Sequence, residues 1–281
     1  MGAVSRRARV VLAGDALVRR VPKGRLRVAA RILHSGLWCG LASDELLAQV
    51  DLAVYARGRY AYHDTDEHNL RGLFPWERRA LAEHFPSTGR LLVTGAGGGR
   101  EVVALEALGF DVLAYECNPE LRARANGLLA RRGAQARVGA VARDQCPPYP
   151  GDLDAAVVGW GSFTFLRGAD RRRRFLRDLA GGLRPGAPAL LSFFVRGDAR
   201  RFRWIARLGN TLGRARRGPP VEPGDVLDPV WQHYVTRDEL AGDLAVAGLQ
   251  LVTFSTDGYG HAVVRRPSLD SGRADLRSAR G

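Results

Sequence analysis

Lysine is almost missing from this 281-residue chain, in which Lys23 is the single lysine among 43 basic residues. Site chemistry that needs a lysine after position 23 is therefore excluded, including a GxxxxGK phosphate loop and a YxxxK dehydrogenase site. Long apolar runs are also missing, since no stretch approaches the ~18 uncharged apolar residues of a membrane-spanning helix. We therefore expect a protein that is soluble or at most bound to a membrane surface.

Cysteine is scarce, and the three cysteines form no CxxC pair. They are Cys39, Cys117 and Cys146. This pattern is typical of a reducing compartment and argues against a structural zinc site. Arg6 and Arg7 are similar to a twin-arginine export signal, but Asp15 and Arg19 interrupt the apolar stretch that such a signal needs. We expect a cytoplasmic protein that binds no metal.

The order of predicted elements changes near residue 90. Apolar residues at helical spacing predict helices before that point, and strands alternate with helices after it, as in a parallel sheet covered on both faces. The first strand is predicted at Leu91–Thr94 and the second at Asp111–Glu116. The predicted parts are a basic N-terminal arm (1–24), a helical cap (25–88), an α/β domain (89–266) with a lid insertion at 197–234, and a disordered tail (267–281).

A glycine turn, Gly95-Ala96-Gly97-Gly98-Gly99, follows the first predicted strand. Such a turn lets the backbone approach a ligand and aims N–H groups at it. A dinucleotide turn, GxGxxG, needs a glycine where Arg100 stands, and we expect that a guanidinium cannot pack there. The dehydrogenase turn TGxxxGxG breaks at Glu101. The remaining pattern is GxGxG followed by Glu116 at the end of the next strand, where a carboxylate can accept hydrogen bonds from both hydroxyls of a ribose.

These motifs resemble those of the class I S-adenosylmethionine (SAM)-dependent methyltransferases over residues 90–266. Leu183-Arg184-Pro185-Gly186 is similar to that family's turn before its fifth strand, and residues 236–249 are similar to its late helix and sixth strand. The resemblance implies an α/β fold: a Rossmann-like, mostly parallel seven-stranded sheet with helices on both faces, an N-terminal helical cap and an insertion after strand five. It also implies SAM as cofactor. The family often has an acid where this chain has Val93.

The resemblance carries cofactor contacts to twelve residues. They are Gly95, Ala96, Gly97, Gly98, Gly99, Glu116, Cys117, Ala142, Arg143, Gly159, Trp160 and Gly161. By this resemblance the end of the third strand flanks the adenine, and the end of the fourth strand lines the methionine side. Trp160 can equally be a packing aromatic and Arg143 a solvated loop residue. A Rossmann-like domain that holds no cofactor stays open as an alternative.

Methyl transfer needs a base only when the acceptor must lose a proton, because positioning supplies most of the acceleration. The candidate bases are His233 and His63, with His68 close to the latter, and each can instead be a hydrogen-bonded structural residue. No [DN]PPY motif of amino-group methyltransferases follows the fourth strand. Cys146 does not stand where a C5-pyrimidine nucleophile would.

The positive charge is concentrated in two segments. Residues 1–25 hold seven basic residues and one acid, and residues 196–217 hold eight and one, which together give 13 of the net charge of +14. This segregation favours an anionic partner: a small substrate, an acidic membrane surface or RNA. We favour a small anionic metabolite held by Arg200, Arg201 and Arg203, since no nucleic-acid motif is present. Membrane contact through a basic amphipathic helix bearing Phe202, Ile205, Leu208 and Leu212 remains an alternative. A non-catalytic SAM-binding or surface-binding protein is another.

Overall fold

The computed structural model describes residues 5–57, 60–148, 151–197, 200–214 and 219–268. They fall into two units. The helical unit lies within residues 1–64, 164–168 and 195–236, and the sheet unit within 65–163, 169–194 and 237–281. The predicted disordered tail lies, from residue 269 on, outside the described residues.

The sheet unit is built on seven strands in the order β3-β2-β1-β4-β5-β9-β8. The first five are parallel, and β9 is antiparallel to both of its neighbours. The central strands are apolar runs because both of their faces are buried, as for Leu91, Val157 and Leu190. The strands are β1 (Gly89–Thr94), β2 (Phe110–Glu116), β3 (Val138–Ala140), β4 (Ala155–Val158), β5 (Pro188–Ser192), β8 (Gln250–Ser255) and β9 (His261–Arg265).

Local sequence explains where the helices of this unit begin. Asn118 caps one of them by accepting hydrogen bonds from the amides of Glu120 and Leu121, and Pro119 occupies its first turn. Trp76 and Leu81 pack in the core of the sheet, so this unit begins at Thr65, well before the predicted cap boundary at residue 88. The helices are α4 (Asp66–Asn69), α5 (Pro75–His84), α6 (Arg100–Ala107), α7 (Pro119–Arg131), α8 (Ala169–Gly182) and α10 (Arg237–Ala247).

The helical unit combines the N-terminal helices with the insertion after β5. Residues 6–20, expected as a basic arm, form a helix whose N-terminus is capped by Ser5 and whose buried side is made by Ala8, Val11 and Val18. The segment therefore has a packed face that the arm description did not include. The elements are α1 (Arg6–Arg20), α2 (Arg25–Leu41), α3 (Asp44–Arg57), α9 (Arg200–Gly213) and the hairpin of β6 (Asp225–Leu227) with β7 (Trp231–His233).

Helices α2 and α9 pack closely through glycines. A Cβ atom on Gly40 would lie 2.3 Å from the carbonyl oxygen of Gly209, so the two backbones approach only because side chains are missing there. Phe202 and Ile205 are buried in this unit, which makes the lipid-facing interpretation of that side of α9 wrong. Among the described residues, no helix is both long and apolar enough to cross a membrane.

Candidate functional site

The glycine turn between β1 and α6 has the backbone that its sequence predicts. Gly95, Gly97 and Gly99 have φ angles of +70°, +54° and +98°, which residues other than glycine rarely adopt. A Cβ on Gly95 would lie 2.2 Å from Oγ of Ser162, and one on Gly99 would contact Ala125. A Cβ on Gly97 would have no atom within 4 Å. Of these three glycines, Gly97 alone opens onto space that a ligand can occupy.

The carboxylate of Glu116 ends β2 and is held against this turn. Oε2 accepts a hydrogen bond from the Gly97 amide at 2.8 Å, and Oε1 accepts one from the Asn118 amide at 2.7 Å. The side chain is buried, and burial raises the pKa of Glu116. The amide and the thiol of Cys117 also donate to this carboxylate. An ionised carboxylate has about four acceptor positions, so a ligand hydroxyl that binds here shares an oxygen with these donors or displaces one of them, such as the thiol.

The end of β4 lies directly beside the turn. A Cβ on Gly159 would lie 2.2 Å from the carbonyl oxygen of Gly95. The Gly159 amide donates a hydrogen bond to the carbonyl oxygen of Thr94 at 2.8 Å. Gly161 has φ +73°, and its amide donates to Oγ of Ser192 at 2.8 Å. Glycine at 159 is therefore needed for the close approach of the two loops, which brings Trp160 next to the turn.

Arg100 lies at the start of α6 in a buried cluster with Glu77 and Glu101. Its guanidinium donates to both carboxylate oxygens of Glu77, at 2.6 and 2.7 Å, and to Oε1 of Glu101 at 2.7 Å. It also lies over the Phe74 ring, 4.1 Å from the centroid. The expectation that a guanidinium cannot pack at this position is thus wrong, because two carboxylates and an aromatic face compensate for its desolvation. We call Glu77, Arg100 and Glu101 the carboxylate cluster.

The carboxylate cluster has one negative charge in excess when both acids are ionised. Burial raises the pKa of Glu77, and the neighbouring Glu101 adds to that rise. Oε1 of Glu101 also accepts the Trp160 amide at 3.0 Å. Oε2 of Glu101 makes no hydrogen bond to any described residue, although the residue is only 4% exposed. One carboxylate oxygen of this buried cluster is therefore available to a cationic ligand group.

Aromatic rings surround Trp160. His68 stacks on it with ring centroids 5.8 Å apart, Phe74 meets it edge-on at 4.9 Å, and Tyr259 lies at 5.7 Å. Burial, followed by the charge of Arg100, lowers the pKa of His68. This imidazole is therefore neutral near pH 7 and has the protonation state of a base.

No protein-family model matches the chain, and no curated protein matches its sequence. Solved structures do match its fold. A SAM-dependent methyltransferase from Methanosarcina mazei aligns with a TM-score of 0.54 at 18% identity, over 70% of this chain and 99% of its own. The 1,6-didemethyltoxoflavin-N1-methyltransferase of Burkholderia thailandensis was solved with bound 1,6-didemethyltoxoflavin and S-adenosylhomocysteine. It aligns with a TM-score of 0.55 at 20% identity, over 81% of this chain and 92% of its own. The chain has the class I methyltransferase fold. A [4+2]-cyclase also aligns at 0.50 with 15% identity, over 69% and 80%, so this fold is also found in a protein described by a different activity.

Within the class I fold, the structure brings most of the predicted cofactor residues to one place. Residues 95–99, Glu116 and 159–161 meet at the carboxyl ends of β1, β2 and β4, the edge at which parallel sheets bind ligands. Cys117 is exposed directly after β2. Ala142 is exposed and Arg143 half-buried after β3. Their contacts with a cofactor remain predictions.

The predicted catalytic and substrate residues lie in the helical unit. His233 is fully buried, with Nδ1 2.6 Å from Oδ1 of Asp225, and His63 stacks on Tyr62 with ring centroids 4.3 Å apart. Arg200, Arg201 and Arg203 are exposed on α9. These roles stay predictions. Sequence reasoning missed the carboxylate cluster, although Glu101 directly after Arg100 at the turn was a visible signal.

Proposed function

We propose that this protein is a SAM-dependent methyltransferase that transfers a methyl group to an oxygen or nitrogen atom of a small, anionic metabolite. The observation that carries the proposal is the buried Glu116 carboxylate, which is held by the Gly97 amide beside the open side of that glycine. A carboxylate there can accept both hydroxyls of the cofactor ribose, and glycine lets the adenosyl group approach the backbone. The residues present therefore fit the cofactor.

Glu101 is proposed to hold the methionine end of the cofactor. When bound, SAM supplies a methyl group on a positively charged sulfur, and its methionine part carries an ammonium group. The excess negative charge of the carboxylate cluster favours cations, and the low exposure of the cluster strengthens that attraction. Oε2 of Glu101 thus takes the place of the acid that is missing at Val93.

His68 is proposed as the proton acceptor for a substrate that must lose a proton. It contacts Trp160 at the end of β4, and its lowered pKa keeps it neutral. His233 and His63 remain the candidates predicted from sequence. His68 is preferred because it contacts Trp160, two residues after β4, and because its ring is neutral where a base is needed.

The proposal of an anionic acceptor rests on the positive charge of the insertion after β5. Arg200, Arg201 and Arg203 are exposed on α9, and a guanidinium can grip an oxyanion through two parallel hydrogen bonds. A metabolite screen for methylation with the wild type and with a triple Arg→Gln variant tests this role. The matched control changes exposed arginines of the sheet unit: Arg132, Arg174 and Arg177. An uncharged acceptor turned over equally by all three proteins would contradict it.

Calorimetry with SAM and with S-adenosylhomocysteine tests the function itself. We expect both to bind, and the absence of binding at millimolar ligand would reject the methyltransferase proposal. Binding without methylation of any acceptor in the screen would favour the non-catalytic alternative.

A further inference from the structure

An exposed apolar stripe runs along α2. Leu26, Leu33, Leu37 and Leu41 follow each other at helical spacing and therefore lie on one side of the helix. Leu26 is 77% exposed and Leu33 is 61% exposed. Large aliphatic side chains in a continuous row at such exposure mark an interaction surface, whereas single exposed ones are ordinary.

The stripe continues onto α9. The side chain of Leu208 in α9 lies over Gly36 of α2, since a Cβ on Gly36 would be 2.7 Å from Cδ2 of Leu208. Leu33, three residues before Gly36, is on the same side of α2 as this glycine. Trp204 and Leu212, four residues before and after Leu208, are on the same side of α9 as Leu208. The exposed residues of the two helices therefore lie beside the same contact.

We call this surface the leucine face. It consists of Leu26, Leu33, Leu37 and Leu41 of α2 with Trp204 and Leu212 of α9. Arg201 lies on the same side of α9 as Leu208 and Leu212, at i+7 and i+11, whereas Arg203 lies on the opposite side.

Charge indicates what covers the leucine face. The two segments that carry 13 of the net charge of +14 are residues 1–25 and 196–217, and both belong to the helical unit. A second copy of the chain would bring two strongly positive units together and be repelled. Residues 269–281 contain three arginines and two aspartates, so this end of the chain offers no complementary acidic segment.

We propose that the leucine face docks on the surface of an anionic lipid bilayer. Leucine and tryptophan side chains enter the boundary between headgroups and acyl chains, and the positive charge of the helical unit attracts lipid phosphates, as for interfacial amphipathic helices. RNA is disfavoured because Trp204 is the single aromatic ring of the leucine face, and its leucines offer neither stacking platforms nor hydrogen bonds to bases.

The test is co-sedimentation with vesicles of phosphatidylcholine alone and of equal parts phosphatidylcholine and phosphatidylglycerol. We expect binding to the anionic vesicles only, weakened by added salt. The double variant Leu26→Gln/Leu33→Gln should lower this binding about tenfold or more, because two leucines no longer enter the lipid. The control is Leu108→Gln/Val246→Gln, which changes residues of 55% and 54% exposure in the sheet unit and should bind like wild type.

Each alternative outcome overturns the proposal. No binding to anionic vesicles at low salt removes the lipid partner. Equal binding by the leucine variant and the wild type shows that charge alone attracts lipid and that the leucine face is not the contact. An RNA oligonucleotide or an acidic amphipathic peptide that binds tightly, and loses binding in the leucine variant while vesicles do not bind, assigns the face to that partner. All variants replace exposed side chains, so folding can be verified by an unchanged thermal transition.

Discussion

The Glu116 carboxylate accepts a hydrogen bond from the Gly97 amide at 2.8 Å, and this contact joins the end of β2 to the glycine turn that follows β1. Gly97 opens onto space that a ligand can occupy, and Glu116 is the acid proposed to bind the ribose. The hydrogen bond therefore links the two groups that we expect to meet the cofactor. Glu116 is therefore positioned by the protein before any ligand arrives, which lowers the cost of ordering it on binding.

Replacing Glu116 with glutamine should weaken SAM binding while keeping the side-chain shape. Loss of charge-assisted hydrogen bonds costs on the order of 1.5 to 3 kcal/mol, about a tenfold to hundredfold rise in Kd. Calorimetry with SAM measures this change in Kd. Glu120→Gln, an exposed acid in the first turn of α7, is the control and should bind like wild type. An unchanged Kd in a folded Glu116→Gln protein would assign the ribose to another residue.

SAM affinity should depend on pH through Glu116. Because burial raises its pKa, the carboxylate is protonated at a higher pH than an ordinary glutamate, whose pKa is about 4.3. Affinity should thus fall as pH is lowered through the raised pKa. The free protein changes in the opposite sense: the stability contribution of this group is present at low pH and is lost as pH rises through the folded-state pKa. Calorimetry at decreasing pH should give a falling affinity for wild type and a shallower fall for Glu116→Gln, because burial also raises the pKa of Glu77 in the carboxylate cluster.

A valine at Gly97 should abolish SAM binding, because its side chain would enter the space next to Glu116. The backbone of residue 97 has a φ of +54°, which is strained for valine. Gly133→Val is the control, since Gly133 has φ +67° and likewise opens onto space, but follows α7. Both variants should lose thermal stability, and only the first should lose binding. Retained binding in Gly97→Val would show that the ligand does not approach this glycine.

Removing the guanidinium of Arg100 should destabilise the fold strongly. Arg100→Met leaves two buried carboxylates without their cation and should cost about 3 to 5 kcal/mol of unfolding free energy. Arg90→Met breaks the exposed pair with Asp111 and should cost less than about 1 kcal/mol. Denaturant unfolding measures both. Adding Glu77→Gln to Arg100→Met should restore part of the lost unfolding free energy. Equal losses in Arg100→Met and Arg90→Met would refute a structural role for the carboxylate cluster.

His68→Gln should lower kcat by roughly a hundredfold or more for an acceptor that must lose a proton, and should remove the acidic limb of the pH–rate profile. His84→Gln, at the end of α5, is the matched control and should leave the rate and its pH profile unchanged. A loss of rate without any change in the pH profile would identify His68 as a positioning residue, and an unchanged rate would exclude it.

Much of the sheet could be predicted from the chain itself. The predicted strands Leu91–Thr94 and Asp111–Glu116 differ from β1 and β2 only by one or two residues at their starts. Buried parallel strands are apolar on both faces and are bounded by glycine, so their pattern is visible locally. Helix α1 was not predicted because its surface is rich in arginine and alanine and its few buried residues show a pattern only once its neighbours are known.

Local sequence specifies the glycine turn, the position of Glu116 and the alternation of strands and helices that brings both to one edge of the sheet, because these depend on turn chemistry and periodicity over a few residues. The contact of Arg100 with Glu77, 23 residues away, depends on how distant elements pack, and so does the burial of Phe202 and the exposure of Leu33. The reason is physical. A charge or an apolar side chain specifies that it needs a partner, and the packing of distant elements specifies which partner it finds and which one is left for another molecule.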